Sequence, residues 1–89
     1  SGLSSIMEDK VSNDLKVFPN PTNAEINIKL DVIVEELNVE ILTINGQLIF
    51  RQDYKNTDRV KLEIDKGPGI YLVRITGTDL NKVVRVIKN

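Results

Sequence analysis

The stretch Gly69-Ile70-Tyr71-Leu72-Val73-Arg74-Ile75-Thr76 constrains this chain more than any other. Aromatic and β-branched residues fill it, and the turn cluster Lys66-Gly67-Pro68-Gly69 stops a helix from running into it, so it reads as a β-strand. Tyr71, Val73 and Ile75 face one way, while Ile70, Leu72 and Arg74 face the other. Apolar residues on both faces put this strand inside a sheet rather than at an edge. The rest of the chain must therefore supply a strand on each side.

The same two-residue period recurs along the sequence. Leu15-Lys16-Val17-Phe18 alternates as a short first strand. Pro19-Asn20-Pro21 ends it as a rigid, extended corner, because each proline lacks a backbone donor and restricts the residue before it. Ile26, Ile28 and Leu30 alternate with Asn27, Lys29 and Asp31, giving a half-buried strand. Between Val32 and Ile44 the pattern is ambiguous: Leu37, Val39 and Ile41 alternate, yet Leu37, Ile41 and Ile44 also stand at helical spacing. Dense β-branching and the following Asn45-Gly46, the pair best suited to a two-residue hairpin turn, decide for strand. Val32 to Val34 then become an apolar connection over the core. Leu48 to Tyr54 is the return arm, Lys55-Asn56-Thr57-Asp58 a polar loop, and Val60, Leu62 and Ile64 alternate again. After the central strand, Gly77-Thr78-Asp79 is a loop that leads into Lys82 to Lys88. Seven short strands with turn signals at intervals of roughly 8 to 12 residues predict an all-β fold, a small immunoglobulin-like antiparallel β-sandwich. Residues 1–13 read as a linker, with Ser1-Gly2 as a vector-derived remnant, and residues 14–89 as the single domain.

Composition narrows the function classes. A chain of 89 residues has little core to spare, so every apolar strand face is needed for stability. There is no cysteine and no histidine. A disulfide framework and a thiolate metal site are thereby excluded, together with the commonest general base. Twelve basic against thirteen acidic side chains leave a net charge of -1, which argues against a nucleic-acid partner. No apolar run approaches the roughly 20 residues of a membrane-spanning helix, and no signal peptide is recognisable at the amino terminus.

No residue set forms a catalytic constellation. The serines stand at positions 1, 4, 5 and 12, all in the linker, where no scaffold holds a nucleophile against a base. Glu35-Glu36 and the pair Glu63 and Asp65 read as solvated surface. Asp79 and Asn81 offer too few oxygens for calcium and read as turn residues. Phe18, Phe50 and Tyr71 are expected in the core, and Tyr54, at the end of its strand, is the aromatic expected to be exposed. Asn20-Pro21-Thr22 has proline at the position that forbids glycosylation. Lys82, Arg85 and Lys88 are expected to guard a sheet edge.

Taken together, Phe18-Pro19-Asn20-Pro21, Ile26-Asn27-Ile28, Asn45-Gly46, Gly69-Ile70-Tyr71-Leu72-Val73-Arg74-Ile75 and the basic run Lys82 to Lys88 resemble the C-terminal sorting domain of the type IX secretion system. The resemblance runs from about Leu15 to Asn89. It implies a non-enzymatic export signal that needs no cofactor and is attached to an upstream cargo domain. The signal would be read by the outer-membrane secretion machinery, and a sortase-like surface protease would commonly remove it. It implies a cell-surface or secreted destination for the cargo. Lys82, Val83, Val84, Arg85, Val86, Ile87 and Lys88 become the sorting-signal candidates, because an edge strand with unpaired backbone groups can add to a receptor sheet. Pro19, Asn20, Pro21, Gly46, Gly69 and Tyr71 fall on the family pattern as fold determinants. Thr22 to Glu25 depart from it, lacking the glycine or aspartate often found there, and Asn89 extends past the usual final lysine. The competing expectation is an immunoglobulin- or fibronectin-like accessory module of a secreted enzyme or adhesin, acting as a spacer or binding polysaccharide.

Overall fold

The structure, a computed structural model, describes residues 15–89; the expected linker lies outside them. It is built from β1 (Leu15–Phe18), β2 (Glu25–Thr43), β3 (Leu48–Glu63), β4 (Gly69–Gly77) and β5 (Leu80–Lys88), with no helix among the described residues. All pairings between these strands are antiparallel. Every strand but β5 pairs with β2. Its first half lies between β1 and the second half of β3, and its second half lies between the first half of β3 and β4. The last strand, β5, pairs with β4, which is therefore interior, as its two-faced apolar pattern requires.

Five strands replace the seven expected, and they form one curled sheet. The cause is continuity: the expected strands around Ile28 and Val39 are halves of β2, and those around Phe50 and Leu62 are halves of β3. Residues 55–58, expected as a loop, stay in β3, where Glu36 pairs with Lys55 and Val34 with Thr57. Drawn straight, the 19 residues of β2 would span about 60 Å, yet the longest dimension of the molecule is 46 Å. The strand bends where its register with β3 slips between Lys29 and Val34. Asn56, with φ 51°, takes up the bend on the opposing strand. Val34 is buried in this corner, while Val32 and Ile33 point outward and are exposed, so the expected apolar cover over the core is one residue deep.

Both halves of the curl feed one core. Ile26, Ile28, Leu30, Leu37, Val39 and Ile41 of β2 meet Val60 and Leu62 of β3, Tyr71, Val73 and Ile75 of β4, and Leu80 and Val86 of β5. Burying each large aliphatic side chain contributes about 1.5–3 kcal/mol. The buried parity of β2 switches from even to odd between Val34 and Leu37. A local irregularity of this kind re-aims a strand while keeping its apolar face inward. Phe18 is a correction, being 44% exposed. The inward positions of β1 are Leu15 and Val17, and Phe18 falls on the opposite phase. Phe50 is half-buried against the core and Tyr71 is buried, as expected of both, and Tyr54 is half-buried rather than exposed.

The turns hold two further differences. The β2–β3 hairpin is a three-residue loop, Ile44-Asn45-Gly46, closed by Thr43 N–H to Gln47 O and Gly46 N–H to Thr43 O, each 2.8 Å. Gly46 alone takes positive φ there, at 93°; a type I turn followed by a left-handed glycine is the three-residue solution for a hairpin. The Pro19-Asn20-Pro21 corner is a run of bends rather than an extended segment, and both of its X-Pro peptides are cis.

Candidate recognition edge

Lys82 to Lys88 lie on β5, at the end of the sheet. Register with β4 sorts their side chains by face. Val83, Arg85 and Ile87 stand opposite Arg74, Leu72 and Ile70 on the outer face, while Lys82, Val84 and Val86 stand opposite Ile75, Val73 and Tyr71 on the inner one. Val86 is fully buried and belongs to the core. Lys88 turns its Nζ to the connection between β3 and β4, donating to Ile64 O at 2.9 Å and to Lys66 O. The basic run is thus not one stripe: Lys82 and Arg85 are exposed on opposite faces, and Lys88 secures a loop.

The lower half of the β5 edge is occupied by the proline corner. The Asn20 carboxamide acts as a piece of strand: its Nδ2 donates to Arg85 O at 2.9 Å, and Oδ1 accepts from Ile87 N–H at 3.0 Å. Thr22 continues the ladder, with its N–H on Ile87 O and its O on Asn89 N–H, both 2.8 Å. Thr22 itself is 2% exposed, its hydroxyl donating to Glu25 O and accepting from Ala24 N–H. The two prolines flanking Asn20 bring no donors of their own to this corner, which leaves the amide side chain to make the pairing.

Alternation along β5 sends the backbone groups of residues 81, 83 and 85 to the same outer side as those of Ile87. There, the carbonyl of Arg85 meets Asn20, while both groups of Val83 and the N–H of Arg85 have no partner among the described residues. Val83 is 56% exposed. An open window from residue 81 to 85 therefore sits above a capped segment from 85 to 89. Beside it the outer face is apolar, with Ile70 and Ile87 exposed and Leu72 half-buried. Arg74 is tied down by Glu40, with Nε to Oε1 at 2.7 Å.

The other residues of the expected motif hold the scaffold. Gly69 opens β4 with φ 154°, a conformation side chains rarely adopt. The Tyr71 ring is buried and its hydroxyl donates to Gly67 O at 2.5 Å. Sequence reasoning missed Gly77, where a Cβ would stand 2.8 Å from Glu36 O and 3.0 Å from Val34 Cγ1. It also missed the edge-capping role of Asn20; the signal available was a side chain able to donate and accept, placed between two prolines.

Among the described residues no group of three or more His, Cys, Asp or Glu side chains is placed to hold a metal ion, and no helix is long and apolar enough to cross a membrane. The described chain is thus a small curled sheet whose terminal strand has one capped and one uncapped stretch of edge. The chain belongs to the family of secretion system C-terminal sorting domains, the sorting domains of type IX secretion, which matches residues 16–89. Such a domain is a non-catalytic sorting signal of secreted and cell-surface proteins. The chain is also 32% identical over 75 residues to an endo-acting ulvan lyase of Formosa agariphila. That match covers 81% of this chain and 14% of the lyase, so the chain spans a small part of that relative's length.

Proposed function

We propose that the type IX machinery reads this sorting domain through the open window of β5 and the apolar surface beside it, by strand addition. The observation that carries this reading is the division of the β5 edge: a sheet edge with unpaired donors and acceptors takes up an extended partner strand. Exposed Val83 and Arg85 would give the partner's side chains their contacts. In this reading a sortase-like surface protease then detaches the domain from its cargo, and the catalytic or adhesive activity of the parent protein resides in that cargo. The curled sheet closing on one core is compatible with an immunoglobulin-like sandwich in which β2 and β3 each contribute to both layers.

The test is to fuse these residues to a fluorescent cargo with its own signal peptide, and to express it in a type IX-competent bacterium and in a strain without the system. Surface or medium location with loss of the tag's mass, in the competent strain alone, is the expected result. Val83→Pro removes one outward N–H and spares the ladder to β4, so it is expected to leave the cargo in the periplasm while the purified domain still melts cooperatively. Normal display of that variant would overturn reading through β5.

A further inference from the structure

The outer face of the other half of the sheet carries a feature that the sorting reading does not use. Lys16 of β1, Lys29 of β2 and Arg59 of β3 are direct cross-strand partners, so three cations stand in a row across three strands. All three are exposed, and none has an ion-pair partner among the described residues. In the next row, Phe18, Asn27 and Lys61 are likewise in register, with Lys61 Nζ 3.6 Å from Glu25 Oε2. Between the rows lies a groove of about 360 Å³, lined by Phe18, Asn27, Ile28, Lys29, Arg59, Val60 and Lys61, with Lys16 outside the lining and joined to the row by its register with Lys29. That is within the size range of clefts that hold small ligands, ~300–1,000 Å³.

Like charges directly opposite one another destabilise a sheet. These side chains point away from the core, so folding gives no return for the repulsion, whereas an anion laid along the row would. The exposed Phe18 ring adds a flat apolar platform at the flank of the cations. The cations suit carboxylate or sulfate groups, and the exposed aromatic ring beside them suits the apolar C–H face of a ring that carries such groups. The shape of the charge selects among anionic partners. Glu25 and Glu63 bound the groove on one side and Asp31 follows Lys29 on the other, so the positive band is narrow. Three strands at ~4.8 Å spacing make it about 10 Å long. A flat anionic membrane would press against the acidic rows as well; a linear chain fits the band alone.

We infer that this groove binds an anionic saccharide, with Lys16, Lys29 and Arg59 on its carboxylate or sulfate groups and Phe18 against a sugar ring. The site lies on a different half of the sheet from β5 and does not depend on the export reading.

The test uses the isotope-labelled chain and four probes: oligosaccharides of polygalacturonate, neutral maltotetraose, polyglutamate and inorganic sulfate. The galacturonate probe is expected to move the amide signals of Phe18, Lys29, Arg59 and Lys61, and maltotetraose to leave them in place. Lys29→Ala with Arg59→Ala should weaken that binding about tenfold or more, the loss that charge-assisted contacts carry. Phe18→Ala should weaken it about threefold to tenfold without altering the response to sulfate, the signature of ring stacking. Equal response to polyglutamate and galacturonate, together with indifference to Phe18→Ala, would reduce the row to unspecific attraction and overturn the assignment, as would the absence of any response. A fusion carrying the double alanine variant is expected to be sorted like the parent; impaired sorting of a well-folded variant would assign the row to the export machinery instead. Periplasmic retention of the parent fusion would refute the sorting reading and leave the saccharide result to stand by itself.

Discussion

Gly77 and Tyr71 show how little slack single positions have in this small sheet. At Gly77, β4 passes so close to the bend of β2 that any Cβ meets the Glu36 carbonyl. Because the obstacle is backbone, Gly77→Ala is expected to cost about 1–3 kcal/mol, the range of overpacking, read as a lower urea midpoint. Tyr71→Phe keeps the buried ring but removes its hydrogen bond to the Gly67 carbonyl, with an expected loss of about 1 kcal/mol by the same measurement. Tyr54 sets a pH dependence. Partial burial raises its phenol above the ordinary pKa of 10.0, because the charged form is desolvated. A raised pKa in the fold means that the stabilisation is complete below the unfolded value and is lost as pH rises through the folded one. Denaturation midpoints should therefore fall above about pH 10, and Tyr54→Phe should flatten that alkaline limb relative to the parent. Tyr71 was legible as a core residue from alternation alone. Gly77 was not, since nothing local announces that two distant backbones will touch.

At the scale of elements, the sequence disclosed pairs of strand halves but not their fusion. Alternation is a local signal, and it lapses at Val32–Ile33 and at Lys55–Asp58, where β2 and β3 bend. A bend and a loop both interrupt the period, so alternation predicts seven strands where five exist. The basic run of β5 reads as a unit for the same reason. Sequence order cannot show that Lys88 would secure the carbonyls of Ile64 and Lys66, or that Val86 would be core. The cationic row was invisible too, since Lys16, Lys29 and Arg59 are far apart in sequence and only register aligns them. The Asn20 cap yields an expectation about the element it seals. Asn20→Ala removes both hydrogen bonds to β5 and should cost about 1–2 kcal/mol. Amide exchange at Ile87 should accelerate well beyond that at Val84, whose amide faces β4. Equal acceleration at both would mean that the corner holds the whole fold rather than the edge.

For the whole molecule, β2 and β3 run through both halves of the curl and the two halves share one core, so neither half has a core of its own. Unfolding is therefore expected to be a single transition in which far-ultraviolet dichroism and tyrosine fluorescence coincide. The 75 described residues carry only about 4–11 kcal/mol of net stability at ordinary densities. Ile28→Ala in the first half and Ile41→Ala in the second should each remove about 2–5 kcal/mol, shifting the same transition rather than two separate ones. On the strand-addition proposal, stability is coupled to sorting. The window on β5 exists because β4 supplies one side of the strand, and its lower limit exists because the corner between β1 and β2 supplies the cap. Ile28, on the half of β2 that pairs with β1, makes no pairing with β5. Its truncation should nonetheless lower surface display of a fused cargo in step with the folded fraction measured by urea titration. Display that stays normal when most of the domain is unfolded would mean that the machinery reads the extended sequence of β5, and that the folded edge is not the signal.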